Sequence, residues 1–539
     1  MEEKRTESTI EKWAKVPHPK TKEMGVIIVC IIMSVIGAII GTELITRVGI
    51  TPNTSIIGAL GAVLVGLGAK SFRNIHRQNL VQTAISTATF GAGNVMLLTV
   101  GIIWLMGRQD LIIPMFIGAA IAMLIDITMI YWLFDTPAFP ADAAWPPGIA
   151  TSETILAAAE RGKRALLLIG GGIVGAVGQA FKIPMDIAGI CLIGNIWALL
   201  MFGVGLLVRA YSPVLFKVDI NKLYIPHGIM IGAGIVALIQ IALIIRGKRL
   251  VKKEEELAKE TVRTKSAQDI SKALRNGFIL YIAAAIVLAL ISGIFTSMSV
   301  LMLIWWIIFA AIAALVSELM VGISAMHAGW FPGFATALIF LVLGMLMKFP
   351  PIALAFLVGY TAATGPAFAD LGYDLKTGWL LRGKGKDVNF EIQGRKQQYI
   401  AEVIGGIVAI VFVALAYKLY FTQDLFPPVD KVFVATIKAG ATPGLWKTLL
   451  LWAIVGAIIQ WVGGAQRQIG ILFATGLLIL NPRAGWAAIV TLAIRAVLEK
   501  VYGEKIKTPM FITAAGFIAG STLYSFFTST AKVLFVKKK

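Results

Sequence analysis

Three ionisable residues interrupt long apolar stretches of this sequence and have the chemistry to carry a proton through lipid. Asp126 lies within the apolar run 111–134, Glu318 lies near the end of the run 299–322, and His327 follows nine residues later. A carboxylic acid shielded from water can exchange its proton near neutral pH, and a histidine titrates in that range without help. Glu318 and His327 are the preferred proton-carrying pair, with Asp126 as a third candidate. The structural alternative places Glu318 in interfacial water and His327 at a helix cap.

These residues stand in a chain whose composition is that of a membrane protein. Hydrophobic residues fill 58% of the 539 positions and charged residues only 14%, with a mean hydropathy of +0.82. So much apolar sequence exceeds what one water-soluble core can bury, so lipid must be the solvent. The net charge of +20 is concentrated in tails and loops. That distribution follows positive-inside topology and argues against nucleic-acid binding.

The two halves of the sequence repeat one another. Trp145-Pro146-Pro147 matches Phe426-Pro427-Pro428, 281 positions on (427 − 146), and the apolar segment around Gln179 matches the segment around Gln460 at the same separation. A long apolar chain of two related halves is typical of secondary transporters, in which the substrate lies where the repeats meet. Gln179 and Gln460 are therefore expected to face one another across a pseudo-symmetric cavity.

The apolar runs predict an all-α, polytopic membrane protein with about sixteen transmembrane segments in two pseudo-symmetric halves. A cytoplasmic tail, 1–22, precedes the first transmembrane repeat, 23–246, and a basic cytoplasmic linker, 247–274, leads to the second repeat, 275–539. The segment 370–399 is also basic and is predicted to be cytoplasmic. The predicted spans are 23–45, 52–70, 79–106, 111–134, 164–182, 185–209, 225–246, 275–296, 299–322, 334–348, 351–369, 398–420, 445–463, 467–480, 483–499 and 508–530.

One segment, 141–162, conflicts with a simple count of crossings. Seven crossings in the first half would put the basic N-terminus and the basic linker on opposite sides of the membrane. A broken or re-entrant helix beginning at Pro146-Pro147-Gly148 resolves the conflict if neighbouring helices shield it. A similar sequence recurs at Trp330-Phe331-Pro332-Gly333. Proline ends one helix and glycine turns the backbone, so the next helix can aim its amides at an anion, although a plain kink explains each copy equally well.

Five motifs in order give the chain a resemblance to a known family. They are Asn79–Ser86, Pro147–Glu153, Tyr224–Gly234, Asp374–Gly378 and Arg395–Gln398. Together they resemble the oligopeptide transporter (OPT) superfamily, most closely its prokaryotic members and the related Yellow Stripe-Like metal–chelate transporters. The resemblance implies a multi-spanning importer of small peptides or peptide-like metal chelates, usually coupled to protons. The Asn-Pro-Gly and Lys-Ile-Pro-Gly motifs of the eukaryotic peptide-transporting branch are absent, which leaves chelates and other amphoteric solutes open.

A solute of that kind offers amines, carboxylates and amides, and complementary side chains are available. Acidic residues, helix N-termini and neutral amides would hold it, and tyrosines would line its path by stacking. Hydrogen bonding between helices is the alternative role for the amides, and the aromatic belt is the alternative place for the tyrosines. The substrate-binding candidates are Asn79, Gln82, Ser86, Gly148, Thr151, Glu153, Gln179, Tyr224, His227, Gly333, Thr336, Tyr360 and Gln460.

Other functions find little support in the sequence. There is no Walker A motif, no zinc-binding cysteine set and no nucleotide-binding glycine motif in a strand–helix context, so we expect no cofactor, no metal site and no enzymatic activity. Sodium-coupled or uncoupled transport of another small solute is the main alternative. A membrane-embedded enzyme using Asp374, Lys376, Arg395 and Gln397 is a lesser one. The expected location is the cell membrane, crossed several times, with lipid and a small-molecule or peptide substrate as partners; a homodimer is left open.

Overall fold

The computed structural model describes residues 9–13, 16–47, 54–160, 163–215, 217–245, 263–329, 333–440 and 444–535. Within these ranges the chain is built of helices, and its one β-type contact is a single bridge between Phe134 and Phe139. The all-α prediction is therefore confirmed for this part of the chain. The predicted linker up to residue 262, and Trp330–Pro332 of the second proline–glycine segment, lie outside the described residues.

In the first half of the chain, the described residues from Met24 onward form ten α-helices. They are α1 (Met24–Arg47), α2 (Thr54–Gly68), α3 (Ile75–Phe90), α4 (Leu98–Leu105), α5 (Ile112–Leu133), α6 (Pro146–Glu160), α7 (Lys163–Ala180), α8 (Met185–Ile193), α9 (Ile196–Leu215) and α10 (Ile225–Ile245). A π-helical segment, Gly91–Leu97, joins α3 to α4 without a break.

The second half adds eleven more among the described residues. They are α11 (Ala267–Ser292), α12 (Val300–Ala328), α13 (Gly333–Leu346), α14 (Pro351–Ala362), α15 (Pro366–Leu381), α16 (Val388–Phe421), α17 (Pro428–Ala439), α18 (Leu445–Arg467), α19 (Ile469–Leu478), α20 (Pro482–Tyr502) and α21 (Lys507–Phe535).

Many of these helices are apolar and long enough to cross a bilayer, so the chain is a multi-pass membrane protein. Among the described residues nine candidates meet both conditions, and they are Met24–Thr46, Ile75–Leu105, Gln109–Leu133, Ile196–Leu215, Ala267–Ser292, Val300–His327, Pro351–Leu381, Val388–Phe421 and Trp446–Gly464. Shorter apolar helices accompany them at Thr54–Gly68, Ile225–Ala237, Thr336–Leu346 and Ile469–Leu478. The number of crossings, predicted at about sixteen, stays a prediction, because short and broken helices complete the bundle.

The sequence repeat has a clear structural counterpart. Helices α1 to α10 correspond in order to α12 to α21. In particular, α3 is equivalent to α14, and α4 is equivalent to α15. The two proline pairs take equivalent places, since α6 begins at Pro146 and α17 begins at Pro428. Helix α11 has no partner in this scheme and stands between the repeats.

The two repeats are interleaved rather than set side by side. Helix α7 packs along α21, and the equivalent pair α10 and α18 packs in the same way. Helix α9 likewise contacts α19, as α20 contacts α8. Each helix of these four pairs therefore finds a main packing partner in the opposite repeat, so neither half buries its surfaces alone.

Glycine allows the closest of these contacts. A Cβ atom on Gly171 of α7 would lie 2.6 Å from the carbonyl oxygen of Thr513 on α21, and one on Gly520 would lie 1.9 Å from the carbonyl oxygen of Gly172. In the equivalent pair, a Cβ atom on Gly456 would meet the Ile229 carbonyl oxygen at 2.0 Å. Helix association in lipid depends on such close backbone packing, because lipid removes the hydrophobic driving force between helices.

The centre of each repeat contains an irregular helix. In the first repeat it is the π-helical segment between α3 and α4, and in the second it is a break between α14 and α15. The break occurs where Gly365 takes φ +98°, a conformation that glycine adopts without strain, and Pro366 then starts α15. Irregular backbone at membrane depth is tolerated only inside protein or along a cavity, so these two places mark the interior of the fold.

The predicted span 351–369 ends too early. Helix α15 continues to Leu381 and buries nearly all of its side chains, including Asp370 and Asp374. Hydropathy undervalues this helix because neighbouring helices, rather than lipid, surround its polar groups. Arg395 is also buried, within α16, rather than exposed in a loop. The cytoplasmic location of 370–399 stays a prediction.

Candidate functional site

Three carboxyl groups meet in the interior, and we call them the acidic triad: Asp370, Asp374 and Glu402. Asp370 and Asp374 are one turn apart on α15, so they share a face of that helix, and Glu402 reaches them from α16. One carboxylate oxygen from each residue lies within 4.8 Å of the others. Glu402 and Asp374 have no exposed surface and Asp370 has 2%.

Hydroxyl and amide groups from the first repeat hold the triad from one side. Asp370 Oδ1 accepts hydrogen bonds from Thr54 Oγ1 at 2.7 Å and from Ser86 Oγ at 2.9 Å. Asp374 Oδ1 accepts from Ser55 Oγ at 2.8 Å and from a glutamine amide, that of Gln82, at 2.6 Å. Helices α2 and α3 thus supply the donors and α15 the acceptors, which places the triad at the contact between the two repeats.

The other side of the triad is unpartnered. Asp370 Oδ2, Asp374 Oδ2 and both carboxylate oxygens of Glu402 are buried and accept no hydrogen bond from the part of the chain that the structure describes. Thr87 lies beside Glu402, but its hydroxyl donates to the Thr83 carbonyl oxygen at 2.8 Å and so offers no proton to the carboxylate. Four carboxylate oxygens are therefore available to protons, to a cation or to a cationic group of a solute.

A second site, which we call the carboxyl pair, consists of Asp126 on α5 and Glu318 on α12. Asp126 accepts hydrogen bonds from the backbone nitrogens of Gly365 and Phe368, both at 2.8 Å, at the broken start of α15. The Tyr281 hydroxyl donates to Glu318 Oε2. The two carboxyl groups lie within hydrogen-bonding reach of each other. Since two carboxylates repel, this contact is favourable when a proton lies between them.

Asp126 and Glu402 occupy equivalent positions in the two repeats. Each is the fifteenth residue of its helix, α5 and α16 respectively. Asp126 contacts the backbone at Gly365, and Glu402 contacts Thr87. Thr87 and Gly365 are 278 positions apart (365 − 87), the same separation as between Thr83-Ala84 of α3 and Thr361-Ala362 of α14. The fold thus aims one acid from each repeat at the irregular helix of the other.

None of these five acids is neutralised by a basic side chain of the described residues. The buried ion pairs among the described residues lie elsewhere and use other carboxylates, such as Glu391 with Arg382 and Glu153 with Arg164. A charge buried without a partner is strongly destabilising, so acids in this setting must hold protons or attract a cation. Their arrangement suits reversible binding of positive charge.

A chain of buried ion pairs connects the triad to the end of the helices where α16 begins. The Gln398 amide donates to the Asp374 carbonyl oxygen at 2.6 Å, and Arg382 donates to Gln398 Oε1 at 2.7 Å. Arg382 also pairs with Glu391 at 2.7 Å, which in turn pairs with Arg395 at 3.1 Å. These bonds fix α15 against α16 directly below the triad.

Comparison with known families decides what kind of protein carries this site. The family described as OPT oligopeptide transporter protein matches residues 173–532, two thirds of the chain. The chain belongs to the OPT family. The match includes four of the five acids, Glu318 and the whole triad. No curated protein matches the chain in sequence.

Membership of the OPT family makes the chain a membrane transporter, as expected from its motifs. The triad has the oxygen donors that hard cations such as Ca²⁺ or Na⁺ prefer, so it is also the place among the described residues where a metal ion would fit. The prediction that no metal is bound therefore remains to be tested at this cluster.

Several predicted residues of this OPT protein do converge on the two acidic sites. Ser86 and Gln82 donate directly to the triad, and Asn79 Nδ2 supports Gln82 at 3.0 Å. Asp126 and Glu318 form the carboxyl pair, and Tyr360 reaches it indirectly. The Tyr360 hydroxyl donates to the backbone oxygen of Tyr281 at 3.0 Å.

His327 lies away from its predicted partner Glu318. The two residues are nine positions apart on one helix, α12, which corresponds to about 13 Å along the axis. His327 instead sits at the end of α12, where its carbonyl oxygen accepts from the Asn195 nitrogen at 3.0 Å. The side chain near Glu318 is therefore that of Asp126 rather than His327, and a role of His327 in proton transfer stays a prediction.

Gln179 and Gln460 also fail to meet, contrary to expectation. Gln179 accepts a hydrogen bond from Ser521 Oγ at 3.0 Å between α7 and α21. Gln460 bonds Gln240 and Gln468 at 2.9 and 2.7 Å between α10, α18 and α19. They are equivalent residues, as the repeat predicts, but each serves the helix packing of its own pair.

The remaining candidates have local roles in the structure. Glu153 pairs with Arg164, and Thr151 donates to the Pro147 carbonyl oxygen at 2.8 Å. The other candidates pack within helix contacts or helix starts away from the hydrogen bonds of the two sites, and they are Gly148, Tyr224, His227, Gly333 and Thr336.

The triad was not identified from the sequence, although one signal for it exists. Asp370 and Asp374 are four residues apart, a spacing that puts both carboxyl groups on one face of a helix. Glu402 lies within an apolar run that was assigned as a span, and a carboxylate there is a candidate by default. The site was missed because the predicted span 351–369 ended before Asp370 and Asp374, which lie within α15.

Proposed function

We propose that this OPT protein imports small peptides or peptide-like metal chelates, driven by a proton gradient. The family supports transport of an oligopeptide-type solute. The observation that supports the proposal most strongly is that five acids are buried at the contact between the repeats without a basic partner among the described residues. Protons that bind these acids on one side and leave on the other would couple their own movement to that of the solute.

The two acidic sites are proposed to have different roles, one in proton coupling and the other in solute binding. The carboxyl pair carries the coupling proton, because its two carboxyl groups contact one another and can share one. The triad binds the positively charged end of the solute, either a peptide ammonium group or the metal-bearing part of a chelate, through its four unpartnered oxygens. Asn79, Gln82 and Ser86 position the triad for that contact.

Alternating access is the proposed mode of movement, and an asymmetry between the repeats supports it. Helix α6 packs against α21, whereas the described residues of the equivalent helices α17 and α10 make no comparable contact. If the two repeats packed identically, both ends of the bundle would be closed to the same extent. The extra contact of α6 with α21 therefore closes one end more tightly than the other. Exchange of the two arrangements would open the site to each side in turn.

The direct test is uptake by the purified protein in proteoliposomes. Labelled di- and tripeptides and a panel of metal chelates are supplied with an inward proton gradient, and the same panel is repeated with a sodium gradient at equal pH. Proton-dependent accumulation supports the proposal. Accumulation that follows sodium instead favours the alternative of a sodium-coupled carrier, and the absence of any gradient-dependent flux contradicts the proposal.

A binding measurement tests whether the triad holds the solute. Asp374→Asn should abolish the rise in melting temperature that a transported solute produces, because it removes charge from the binding site. Asp430→Asn is the matched control, since Asp430 is equally buried and unpartnered but lies against Gly101, away from the triad. Equal loss in both variants would contradict a binding role for the triad.

A further inference from the structure

A pocket of about 300 Å³ lies at one end of the helix bundle, apart from the acidic sites. It is bounded by the end of α5, the start of α11 and the first turns of α16. Its lining includes three basic residues, Lys265, Lys272 and Arg395, and the aromatic residues Tyr131 and Trp132. Nothing in the proposed transport cycle uses it.

The sequence around the pocket changes from charged to apolar, as it does where a helix enters a membrane. The first turns of α11 carry Asp269, Lys272 and Arg275, and the uncharged run from Gly277 to Ser292 follows at once. The first turns of α16 show the same change from charged to apolar sequence. Tyrosine and tryptophan at the end of α5 are the residue types that collect at the boundary between headgroups and hydrocarbon.

One residue that lines the pocket has a donor without a partner. Arg395 is 2% exposed and uses its terminal nitrogens on Asp135, Glu391 and Thr264, but its Nε atom is buried and donates to no group of the described residues. An unused guanidinium donor beside a cavity favours an oxyanion, because a buried donor left unpaired is costly. The Lys272 side chain at the exposed rim adds a second positive charge.

One acidic residue lines the pocket but is already engaged. Asp269 accepts from the nitrogen and the hydroxyl of Ser266 at 2.8 and 2.9 Å, as the capping group of α11. Lys265 donates to the Trp132 carbonyl oxygen at 3.0 Å, and burial, followed by nearby Arg395, lowers the pKa of Lys265 to about 7. A bound anion would favour the charged form of this lysine and so gain a further contact.

The helices around the pocket also leave room for a chain of apolar atoms. Helices α11 and α16 both pack on α5, but their described residues make no extended contact with each other. A cleft therefore runs over α5 between them, with the half-exposed Ile392 at its entrance. Its occupant should combine an anionic head with a hydrocarbon tail.

We propose that this pocket binds the phosphate headgroup of an anionic phospholipid. The phosphate contacts Arg395 Nε and the Lys272 ammonium group, and an acyl chain lies along the cleft between α11 and α16. Basic pockets between helices at the cytoplasmic surface are suited to such headgroups. Since α5 and α16 carry Asp126 and Glu402, a lipid there would brace the two helices that aim acids at the centre.

The test compares one residue at the rim with a matched neighbour. Arg395 is unsuitable because its loss would break buried ion pairs. Lys272 and Arg275 are both exposed on α11, but only Lys272 lines the pocket. The full-length chain in detergent is titrated with phosphatidylglycerol, phosphatidylcholine or inorganic phosphate, and retained lipid is measured by native mass spectrometry alongside the melting temperature.

Phosphatidylglycerol should bind and raise the melting temperature, and phosphatidylcholine should do so more weakly. Lys272→Ala should weaken phosphatidylglycerol binding about fivefold, as expected for loss of one basic residue at an anionic headgroup, and Arg275→Ala should not. Both variants should melt like the parent protein without added lipid. Equal effects of the two substitutions, no preference for the anionic lipid, or an equal response to phosphate alone would each overturn the proposal.

Discussion

Glu318 and Asp126 face each other across two helices, and this contact explains why neither needs a basic partner. Each carboxyl group has a polar neighbour, Tyr281 for Glu318 and the backbone at Gly365 for Asp126. A proton between them removes the repulsion of two buried charges. At the scale of the residue, the pair is therefore the place where proton binding has the largest structural effect.

Glu318→Gln tests the proton-carrying role. The amide keeps the size of the side chain and its hydrogen bond to Tyr281 but cannot release a proton. We expect gradient-driven uptake to fall by at least tenfold while exchange of labelled for unlabelled solute continues, both measured in proteoliposomes. Equal loss of uptake and exchange would show that Glu318 serves folding or solute binding instead.

His18 provides a residue-scale test of how the N-terminal segment is held. It is buried against His76, at 5.0 Å between ring centroids, and beside Arg382 and Glu391, while Thr21 bonds Gln397. Burial, and then the Arg382 charge, lowers the pKa of His18 to about 4. Because His18 resists protonation while the N-terminal segment is packed against the helices, this packing is most stable above pH 6.5. It becomes less stable as the pH falls towards 4.

At pH 5 this linkage weakens docking of the segment by about 2 kcal/mol. Hydrogen exchange at the Thr21 amide should accordingly speed up between pH 7 and pH 5, after correction for the intrinsic pH dependence of exchange. The His18→Phe variant keeps the ring packing and should lose the effect. A pH response that persists in that variant would place its cause in another group, such as His76.

At the scale of the element, close approach between helices sets what the sequence can tolerate. Adjacent glycines on α7 differ sharply: a Cβ atom on Gly171 would meet the Thr513 carbonyl oxygen at 2.6 Å, whereas one on Gly170 would meet nothing within 4 Å. Gly171→Ala should lower stability by about 1–3 kcal/mol through overpacking, and Gly170→Ala should be neutral or slightly stabilising. The melting temperatures of both variants, measured in one detergent, test this difference in stability. Similar melting temperatures would contradict the packing of α7 on α21.

The broken helices are the elements that the sequence predicted best. Prolines at 146 and 428 do begin α6 and α17, since proline fits the first turn of a helix and cannot continue one. The π-helical segment in the first repeat had no such marker. Its position became clear only from the structure, which shows it at Gly91–Leu97.

At the scale of the whole molecule, the interleaving of the repeats makes the two halves depend on each other. Helices α7 and α10 pack mainly on α21 and α18, which lie in the other half. Either half expressed alone should therefore aggregate or be degraded. Co-expression of two fragments divided within residues 247–262 should restore a stable complex with transport activity, measured by co-purification and uptake. A stable, monodisperse first half alone would contradict interleaved packing.

The sequence by itself determined the solvent, the helical class, the repeat and the family. These properties depend on composition, on the length of apolar runs and on motif order, all of which are local or additive along the chain. It also indicated the acids Asp126 and Glu318, because any carboxylate in an apolar run is expensive and therefore informative.

Only the tertiary structure decided which of those groups meet. Asp126 rather than His327 contacts Glu318, and Asp370 and Asp374 join Glu402 inside the protein. Gln179 and Gln460 keep their symmetry but stay apart. The reason is physical: in lipid, polarity along the chain shows that a group must be shielded, but the crossing of helices from both repeats determines which neighbour shields it.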